Sequence, residues 1–158
     1  MIKELSQIDD VIVGAGTVLN IDMAKTAVSS GARFIISPHT DKEIISYAKS
    51  QELLVATGAL TSSEILKAWN LGVDLVKIFP VKAVGGASYI QTIKETLPFI
   101  EIMTTGGVTV ENFNEFLQAG ATAVGLSSSL IGSNRFNDPK TITQRAKMVI
   151  QKLRELEE

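Results

Sequence analysis

The sequence predicts an α/β protein in which parallel strands alternate with helices. Short apolar runs with the composition of buried strands recur along the chain, and segments with apolar residues at helical spacing separate them. Three helix-to-strand junctions share one pattern, in which a glycine closes the helix and an apolar residue leads into the strand. They are Ser30-Gly31-Ala32, Leu71-Gly72-Val73 and Ala119-Gly120-Ala121. This repeat and the strict alternation are typical of βαβ units.

Six runs are predicted to be strands. They span residues 11–18, 33–38, 53–58, 75–80, 100–105 and 122–127. The first is predicted to be buried and to end in a glycine turn. Each of the others follows a helical segment, so we expect all six to run parallel.

The helices are predicted mainly from their start signals. Asn20 is the expected N-cap of the first long helix, and either Thr40 or Asp41 begins the next. The run Thr61-Ser62-Ser63-Glu64 has the spacing of a capping box. In the last helix, Asp138-Pro139 fits an N-cap followed by proline at the first helical position.

Two stretches lie outside this alternation. Residues 1–8 are compatible with a short helix, and residues 132–137 predict a surface loop because they are polar and contain glycine and asparagine. No linker or charge block divides the chain, so residues 1–158 are expected to form a single domain.

Composition excludes several classes of protein. The chain has 158 residues and a net charge of −2, and without a basic run we expect neither nucleic acid nor an anionic membrane as a partner. It has no cysteine and one histidine, His39, which excludes disulfides, thiolate chemistry and a histidine-rich metal site. We expect no metal and no cofactor. Without a membrane-length apolar run or a signal-peptide core, the expected location is cytoplasmic.

Lys77 stands out within the apolar run Leu75-Val76-Lys77-Ile78-Phe79-Pro80. Lysine is rarely buried without a partner. Burial lowers the pKa of an amine and leaves it able to attack a carbonyl group. Alternatively, Lys77 extends out of the strand end or pairs with Asp74. In the glycine repeat, the position five residues after each glycine is Ile36, Lys77 or Gly125, so the lysine stands where its counterparts are apolar or small.

Small and hydroxyl residues dominate the predicted carboxyl ends of the strands, where ligands bind in parallel α/β folds. Glycines let backbone amides approach a ligand, and hydroxyl groups add donors. Alternatively, the glycines only form tight turns. The strand ends are Gly14-Ala15-Gly16-Thr17, Ser37-Pro38, Thr57-Gly58, Phe79-Pro80, Thr105-Gly106-Gly107 and Ser127-Ser128-Ser129.

Three of these motifs together resemble a known family. Gly14-Ala15-Gly16-Thr17-Val18, Val76-Lys77-Ile78-Phe79-Pro80 and Thr105-Gly106-Gly107-Val108 resemble the class I aldolases that act on 2-keto-3-deoxy-6-phosphogluconate and 4-hydroxy-2-oxoglutarate. The resemblance runs from about Val11 to Leu130. It implies a TIM-type (β/α) barrel, commonly a homotrimer, that reversibly cleaves a 2-keto-4-hydroxy acid to pyruvate and an aldehyde.

The resemblance also implies roles for individual residues. Lys77 would form the Schiff base, while Thr17 and Thr105 would bind the pyruvate portion. Phe79, from the lysine motif, is counted with the substrate-binding residues. The residues expected to hold the substrate's phosphate are Gly106, Gly107, Ser127, Ser128 and Ser129. The expected partners are therefore a small keto acid or sugar-acid phosphate and other copies of the chain, with a trimer favoured.

The chain departs from the family in one respect. The family's base is a glutamate on the second barrel strand, and an arginine that binds substrate follows it. The first predicted strand here resembles the third barrel strand, so we expect an incomplete barrel with six of its eight strand–helix units. Carboxylates such as Asp41, Glu64 and Glu111 belong to helices or helix starts, and Glu101 begins a strand. None of them inherits the base role.

Three interpretations follow. The chain is a shortened aldolase that keeps the lysine but lacks the base, a non-catalytic protein that binds keto acids or phosphate or serves as a scaffold, or an enzyme completed by a second chain. Trapping an imine with pyruvate separates the first two interpretations, and steady-state cleavage separates the first from the third. The coding sequence upstream of Met1 would also discriminate, because a strand with glutamate and then arginine there would mark a fragment.

Overall fold

A computed structural model describes residues 1–132 and 138–157 of the chain. The predicted loop at 132–137 therefore lies almost entirely outside the described residues. The chain divides into two compact units, Met1–Lys77 and Ile78–Glu158, and the division passes through a strand.

The first unit begins with a short helix and then alternates helices with strands. Its elements are α1 (Ile2–Leu5), α2 (Ile21–Ser29), β1 (Phe34–Ile36), α3 (Lys42–Ser50), β2 (Leu54–Ala59), α4 (Ser62–Asn70) and the start of β3 (Leu75–Ile78). β1 and β2 are parallel, with Phe34 beside Leu54 and Ile36 beside Ala56. The predicted strands at 33–38 and 53–58 are thus confirmed to within about two residues at each end.

The second unit continues the alternation from the end of β3. After a 3₁₀ turn (Val81–Val84), its elements are α5 (Ala87–Thr96), β4 (Ile102–Thr104), α6 (Phe113–Gln118), β5 (Ala123–Val124), α7 (Ser128–Ile131) and α8 (Pro139–Glu157). β4 and β5 are parallel, with Met103 beside Ala123. The five strands follow one another in the sheet in the order in which they occur in the chain. The predicted α/β class with parallel strands is confirmed.

The first predicted strand, at residues 11–18, is not confirmed. Only Ala15 forms a bridge, to Ile35 of β1. Backbone hydrogen bonds to β1 continue on either side, from Arg33 to Val13 and from Val18 to Ile36, but the left-handed backbone of Thr17 (φ 59°) interrupts the extended run. The expectation that this run is buried is also wrong for its first two residues, because Val11 is 47% exposed and Ile12 is 76% exposed. Five strands are therefore observed where six were predicted.

Side-chain caps fix the helix starts in the first unit. Asn20 accepts a hydrogen bond from the amide of Met23 at 2.9 Å, and Asp41, rather than Thr40, caps α3. The capping box of α4 is complete. The amides of Thr61 and Leu60 donate to the Glu64 carboxylate, and these hydrogen bonds lower the pKa of Glu64.

The other predicted helix signals are also confirmed. Asp138 caps α8, since its carboxylate accepts from the Lys140 amide at 3.1 Å and Pro139 is the first helical residue. The three glycines of the repeat all have left-handed backbones that L-residues rarely adopt: Gly31 (φ 97°), Gly72 (φ 85°) and Gly120 (φ 99°). None of the described helices combines the length and apolar character that crossing a membrane requires.

Candidate active site

Three buried polar side chains occupy the carboxyl ends of the strands of the first unit. Ser37 follows β1 and Thr57 lies near the end of β2, and both are fully buried. Lys77 lies on β3 and is 9% exposed. These are the buried polar residues that the structure describes in Met1–Lys77. Buried polar groups are costly unless they are bonded, so their concentration at one edge suggests a site rather than chance.

Ser37 and Thr57 are neighbours in adjacent strands. The amide of Ser37 donates to the carbonyl of Ala56 at 2.9 Å, which continues the parallel register and sets Ser37 beside Thr57. Side chains on neighbouring positions of parallel strands project from the same face. The two hydroxyl groups therefore share one face of the sheet.

Lys77 shares that face. The amide of Asp74 donates to the carbonyl of Val55 at 3.0 Å, which sets residue 73 beside Val55. Residues an even number of positions further along each strand lie on the same face, and these include Thr57 on β2 and Lys77 on β3. The Lys77 side chain thus projects from the same face of the sheet as the Ser37 and Thr57 hydroxyls.

Burial has a direct effect on Lys77. Because the low-polarity surroundings disfavour the ammonium form, the pKa of Lys77 lies below its ordinary value. Asp74, the alternative partner, accepts from the Lys49 side chain and, at 2.8 Å, from the amide of Val55. A lowered pKa increases the fraction of neutral amine, which is the form that acts as a nucleophile.

Hydroxyl groups brace the loops after β1 and β2. The Ser37 hydroxyl lies 3.1 Å from Nδ1 of His39. The Thr40 hydroxyl donates to the carbonyl of Gly58 at 3.0 Å and lies 3.4 Å from the Thr57 hydroxyl. Ser37 and Thr57 were noted at strand ends but were not among the predicted site residues. A hydroxyl residue within an apolar strand, as at Thr57, was the available signal.

Thr17 is exposed and adopts a left-handed backbone with φ 59°. A β-branched residue in this region is a real outlier and stores strain. Such strain occurs preferentially at ligand-binding sites, where the surrounding structure holds the residue in place. The outlier therefore favours the predicted binding role of Thr17.

Replacing Thr17 with glycine should separate stability from binding. We expect Thr17→Gly to raise the free energy of unfolding by about 1 kcal/mol, because relief of strain exceeds the added entropy of the unfolded chain. It should also raise the pyruvate concentration needed for half-saturation about two- to tenfold, the range expected for the loss of one hydrogen bond. Urea unfolding and a pyruvate titration of the trapped adduct measure the two effects. Thr17→Ala is the control, since it removes the hydroxyl but keeps the strain, and an unchanged stability of Thr17→Gly would contradict this explanation.

In the second unit, two glycines pack tightly against the segment that follows β3. Gly106 (φ 77°) and Gly107 (φ 115°) both have left-handed backbones. A Cβ atom on Gly106 would lie 2.9 Å from the ring of Phe79, and one on Gly107 would lie 2.4 Å from Cβ of Lys82. Both positions therefore require glycine for conformation and for space.

Backbone hydrogen bonds hold this contact. The amides of Val81 and Lys82 donate to the carbonyls of Thr105 and Gly106, both at 3.0 Å. Phe79 is 42% exposed, and its peptide bond to Pro80 is cis. The structure thus brings Phe79, Thr105, Gly106 and Gly107 together at the carboxyl ends of β3 and β4.

The three predicted serines have different surroundings. Ser127 and Ser128 are exposed, and α7 begins at Ser128. The Ser129 hydroxyl donates to the carbonyl of Val108 at 3.1 Å and so ties α7 to the loop after β4. Ser127 and Ser128 are therefore better placed than Ser129 to meet a ligand.

Thr105 carries a buried hydroxyl group. Among the residues that the structure describes, no group forms a hydrogen bond with its Oγ1 atom. Within the same described ranges, no set of three histidine, aspartate or glutamate side chains is arranged to hold a metal ion. The candidate polar groups are therefore an amine and hydroxyls in the first unit, and hydroxyls and glycine backbone in the second.

Known proteins resemble this chain in sequence and in fold. The family model for "Aldolase: KDPG and KHG aldolase" matches residues 1–145. The chain belongs to this aldolase family.

Two relatives of this aldolase-family chain are named enzymes. The chain is 35% identical over 123 residues to 2-dehydro-3-deoxy-6-phosphogalactonate aldolase of Escherichia coli (strain K12), and the match covers 77% of the chain and 60% of that protein. It is 29% identical over 108 residues to 2-dehydro-3-deoxy-phosphogluconate aldolase of Treponema pallidum (strain Nichols), covering 68% and 51%.

Solved aldolase structures share its fold. A native KDPGal structure superposes with a TM-score of 0.89 at 30% identity, covering 98% of this chain and 75% of that one. KDPG aldolase from Legionella pneumophila, with pyruvate captured at low pH as a covalent carbinolamine intermediate, gives 0.75 at 27% identity, covering 96% and 71%. The aldolase-family chain spans about three fifths of the length of the first named relative and about half of the length of the second.

Proposed function

We propose that this chain is an aldolase that uses Lys77 to form a Schiff base with a 2-keto-4-hydroxy acid. The substrate is 2-keto-3-deoxy-6-phosphogluconate or 4-hydroxy-2-oxoglutarate, and the products are pyruvate and an aldehyde. The observation that carries the proposal is a buried lysine with a lowered pKa at the carboxyl end of β3. Covalent capture of pyruvate, named for the related enzyme from Legionella pneumophila, supports it.

The chemistry follows from the amine. Neutral Lys77 attacks the keto carbon to give a carbinolamine, which loses water to become a protonated imine. Removal of the C4 hydroxyl proton then lets the C3–C4 bond break, and its electrons move into an enamine while the aldehyde leaves. The enamine takes a proton at C3, and hydrolysis of the imine restores Lys77 and releases pyruvate.

In this proposal the other predicted residues bind the substrate. Thr17 and Thr105 contact the pyruvate portion, and Phe79 is a further substrate-binding residue. The amides of Gly106 and Gly107, with the hydroxyls of the 127–129 serines, hold the phosphate. Backbone amides in left-handed glycine turns are suited to binding anions, which supports this role for the glycine pair.

Cleavage by these 158 residues should be slow. The fold that we propose is an incomplete (β/α) barrel, and the family's base glutamate has no counterpart in the sequence. Imine formation needs only the amine and a bound carbonyl, whereas cleavage also needs a group that takes the C4 hydroxyl proton. A binding protein without turnover is the alternative, and the imine and cleavage assays described in the Discussion distinguish the two.

We also propose that the chain assembles with copies of itself, as a trimer. Val11 and Ile12 are exposed, together with Leu5, Ile8 and Leu19 of the same unit. Exposed apolar residues concentrated in one part of the chain favour association with another chain. Sedimentation velocity at micromolar concentration should therefore show an assembly of about three chains. Ile12→Lys should shift it toward monomers, while Leu54→Lys, at an exposed position on β2, serves as the control. A monodisperse wild-type monomer would contradict the proposal.

A further inference from the structure

Gly125 is a glycine that its backbone does not require. It follows β5, its amide donates to the carbonyl of Thr104 at 2.8 Å, and its φ lies outside the left-handed region. Any residue could adopt this conformation. The counterparts of Gly125 in the helix–strand repeat are Ile36 and Lys77, both of which carry long side chains.

What glycine provides here is space for Thr105. A Cβ atom on Gly125 would lie 2.5 Å from Cγ2 of Thr105 and 3.1 Å from Cε of Met103. The end of a methionine side chain can move away, but the threonine methyl group lies one bond from a branched carbon, on the residue that directly follows β4. Threonine is stiff at χ1, so it can make room only by rotating to another staggered position.

Rotation would redirect the Thr105 hydroxyl group. This hydroxyl is buried and has no hydrogen-bond partner among the described residues, a condition that calls for an explanation. Thr105 is a proposed pyruvate contact, so a change of rotamer would alter the surface that it presents to the keto acid.

We propose that Gly125 is a positioning residue for the aldolase reaction. By leaving room for the methyl group of Thr105, it fixes the rotamer of Thr105 and hence the surface that this residue presents to the keto acid. This inference rests on the proposed function for its consequence in binding. The rotamer itself can be tested without any activity.

The binding test is a double-mutant cycle that reads half-saturation by pyruvate from the borohydride-trapped adduct. In the wild-type background, Gly125→Ala should raise the pyruvate concentration at half-saturation about tenfold or more. This effect is within the range of coupling between contacting residues. In the Thr105→Ser background, which lacks the clashing methyl group, Gly125→Ala should raise this concentration by less than about twofold. Equal effects in both backgrounds would overturn the inference, because a general packing defect would not depend on one methyl group.

The rotamer test uses methyl NMR of threonine-labelled protein. The Thr105 methyl signal is assigned by its loss in Thr105→Ser. Gly125→Ala should shift this signal and leave most other threonine methyl signals in place. An unmoved Thr105 signal in a folded Gly125→Ala variant would overturn the inference, even if wild-type protein forms no adduct. Absence of a wild-type adduct, with the signal shifted, would instead count against the proposed function.

Discussion

Borohydride reduction in the presence of pyruvate should leave a stable adduct on Lys77, and Lys77→Ala should abolish it. Loss should be complete, because no other group can form the imine at that position. Intact mass and peptide mapping locate the adduct. Lys82→Ala is the matched control, because Lys82 is an exposed lysine five residues further along the chain. Its adduct should equal that of the wild type.

Two outcomes would contradict the predicted adduct on Lys77. Equal labelling of Lys77→Ala would mean that an exposed lysine reacts, and the Schiff-base assignment would be wrong. No labelling of the wild type would favour a protein that binds its ligand without covalent chemistry. A melting curve for Lys77→Ala must accompany the trapping, to show that loss of the adduct does not reflect loss of the fold.

The pH dependence of trapping should reveal the surroundings of Lys77. Burial lowers the pKa of Lys77, so the adduct should reach half its maximal rate below about pH 10.4, the ordinary lysine value. The same shift affects folding. Between the folded pKa and about 10.4 the unfolded chain binds more protons, so stability relative to Lys77→Met should rise with pH across that window. Below the folded pKa the difference should be constant.

Turnover should be far weaker than imine formation. We expect a protein of these 158 residues to release pyruvate from 2-keto-3-deoxy-6-phosphogluconate about two to four orders of magnitude more slowly than a complete family member, since a positioned acid–base group contributes that much. The comparison enzyme is the related 2-dehydro-3-deoxy-6-phosphogalactonate aldolase of Escherichia coli. Both are assayed with a coupled pyruvate assay at equal concentrations of trappable lysine, with the phosphogalactonate substrate as a second arm.

Normalising to trappable lysine separates a chemical defect from poor folding. Rates within about tenfold of the comparison enzyme would show that another group replaces the base, because losing a general base costs more than this. The shortened-aldolase interpretation would then be wrong. If rates rise steeply with protein concentration, assembly completes the site, which favours the third interpretation drawn from the sequence.

Local sequence signals predicted most of the fold. Capping residues such as Asn20 and Thr61 act through hydrogen bonds within three residues, so their effect can be read directly from the chain. The same holds for the helix-closing glycines. The prediction of a strand at residues 11–18 was wrong because composition indicates a strand, whereas the left-handed backbone of Thr17 interrupts the extended run that pairs with β1 at Ala15. The left-handed conformation of Thr17 has no signature in threonine itself.

The site divides in the same way. Lys77 could be predicted because a lysine in an apolar strand violates local expectation. The bracing of the Ser37 and Thr57 loops could not, because their partners depend on packing between strands. The role of Gly125 was also hidden, since a glycine without an unusual backbone becomes informative only when its neighbour is known.

The register of the sheet has a consequence for synthesis on the ribosome. Phe34 pairs with Leu54, and Met103 pairs with Ala123, a separation of 20 residues in both pairs. Each such strand therefore finds its partner among residues that have just emerged. Domains fold as the chain emerges, and contacts between nearby residues form fastest. Each helix–strand step can be added to a growing edge during translation, so a stalled nascent chain whose β2 has left the exit tunnel should already hold a protected β1–β2 pair.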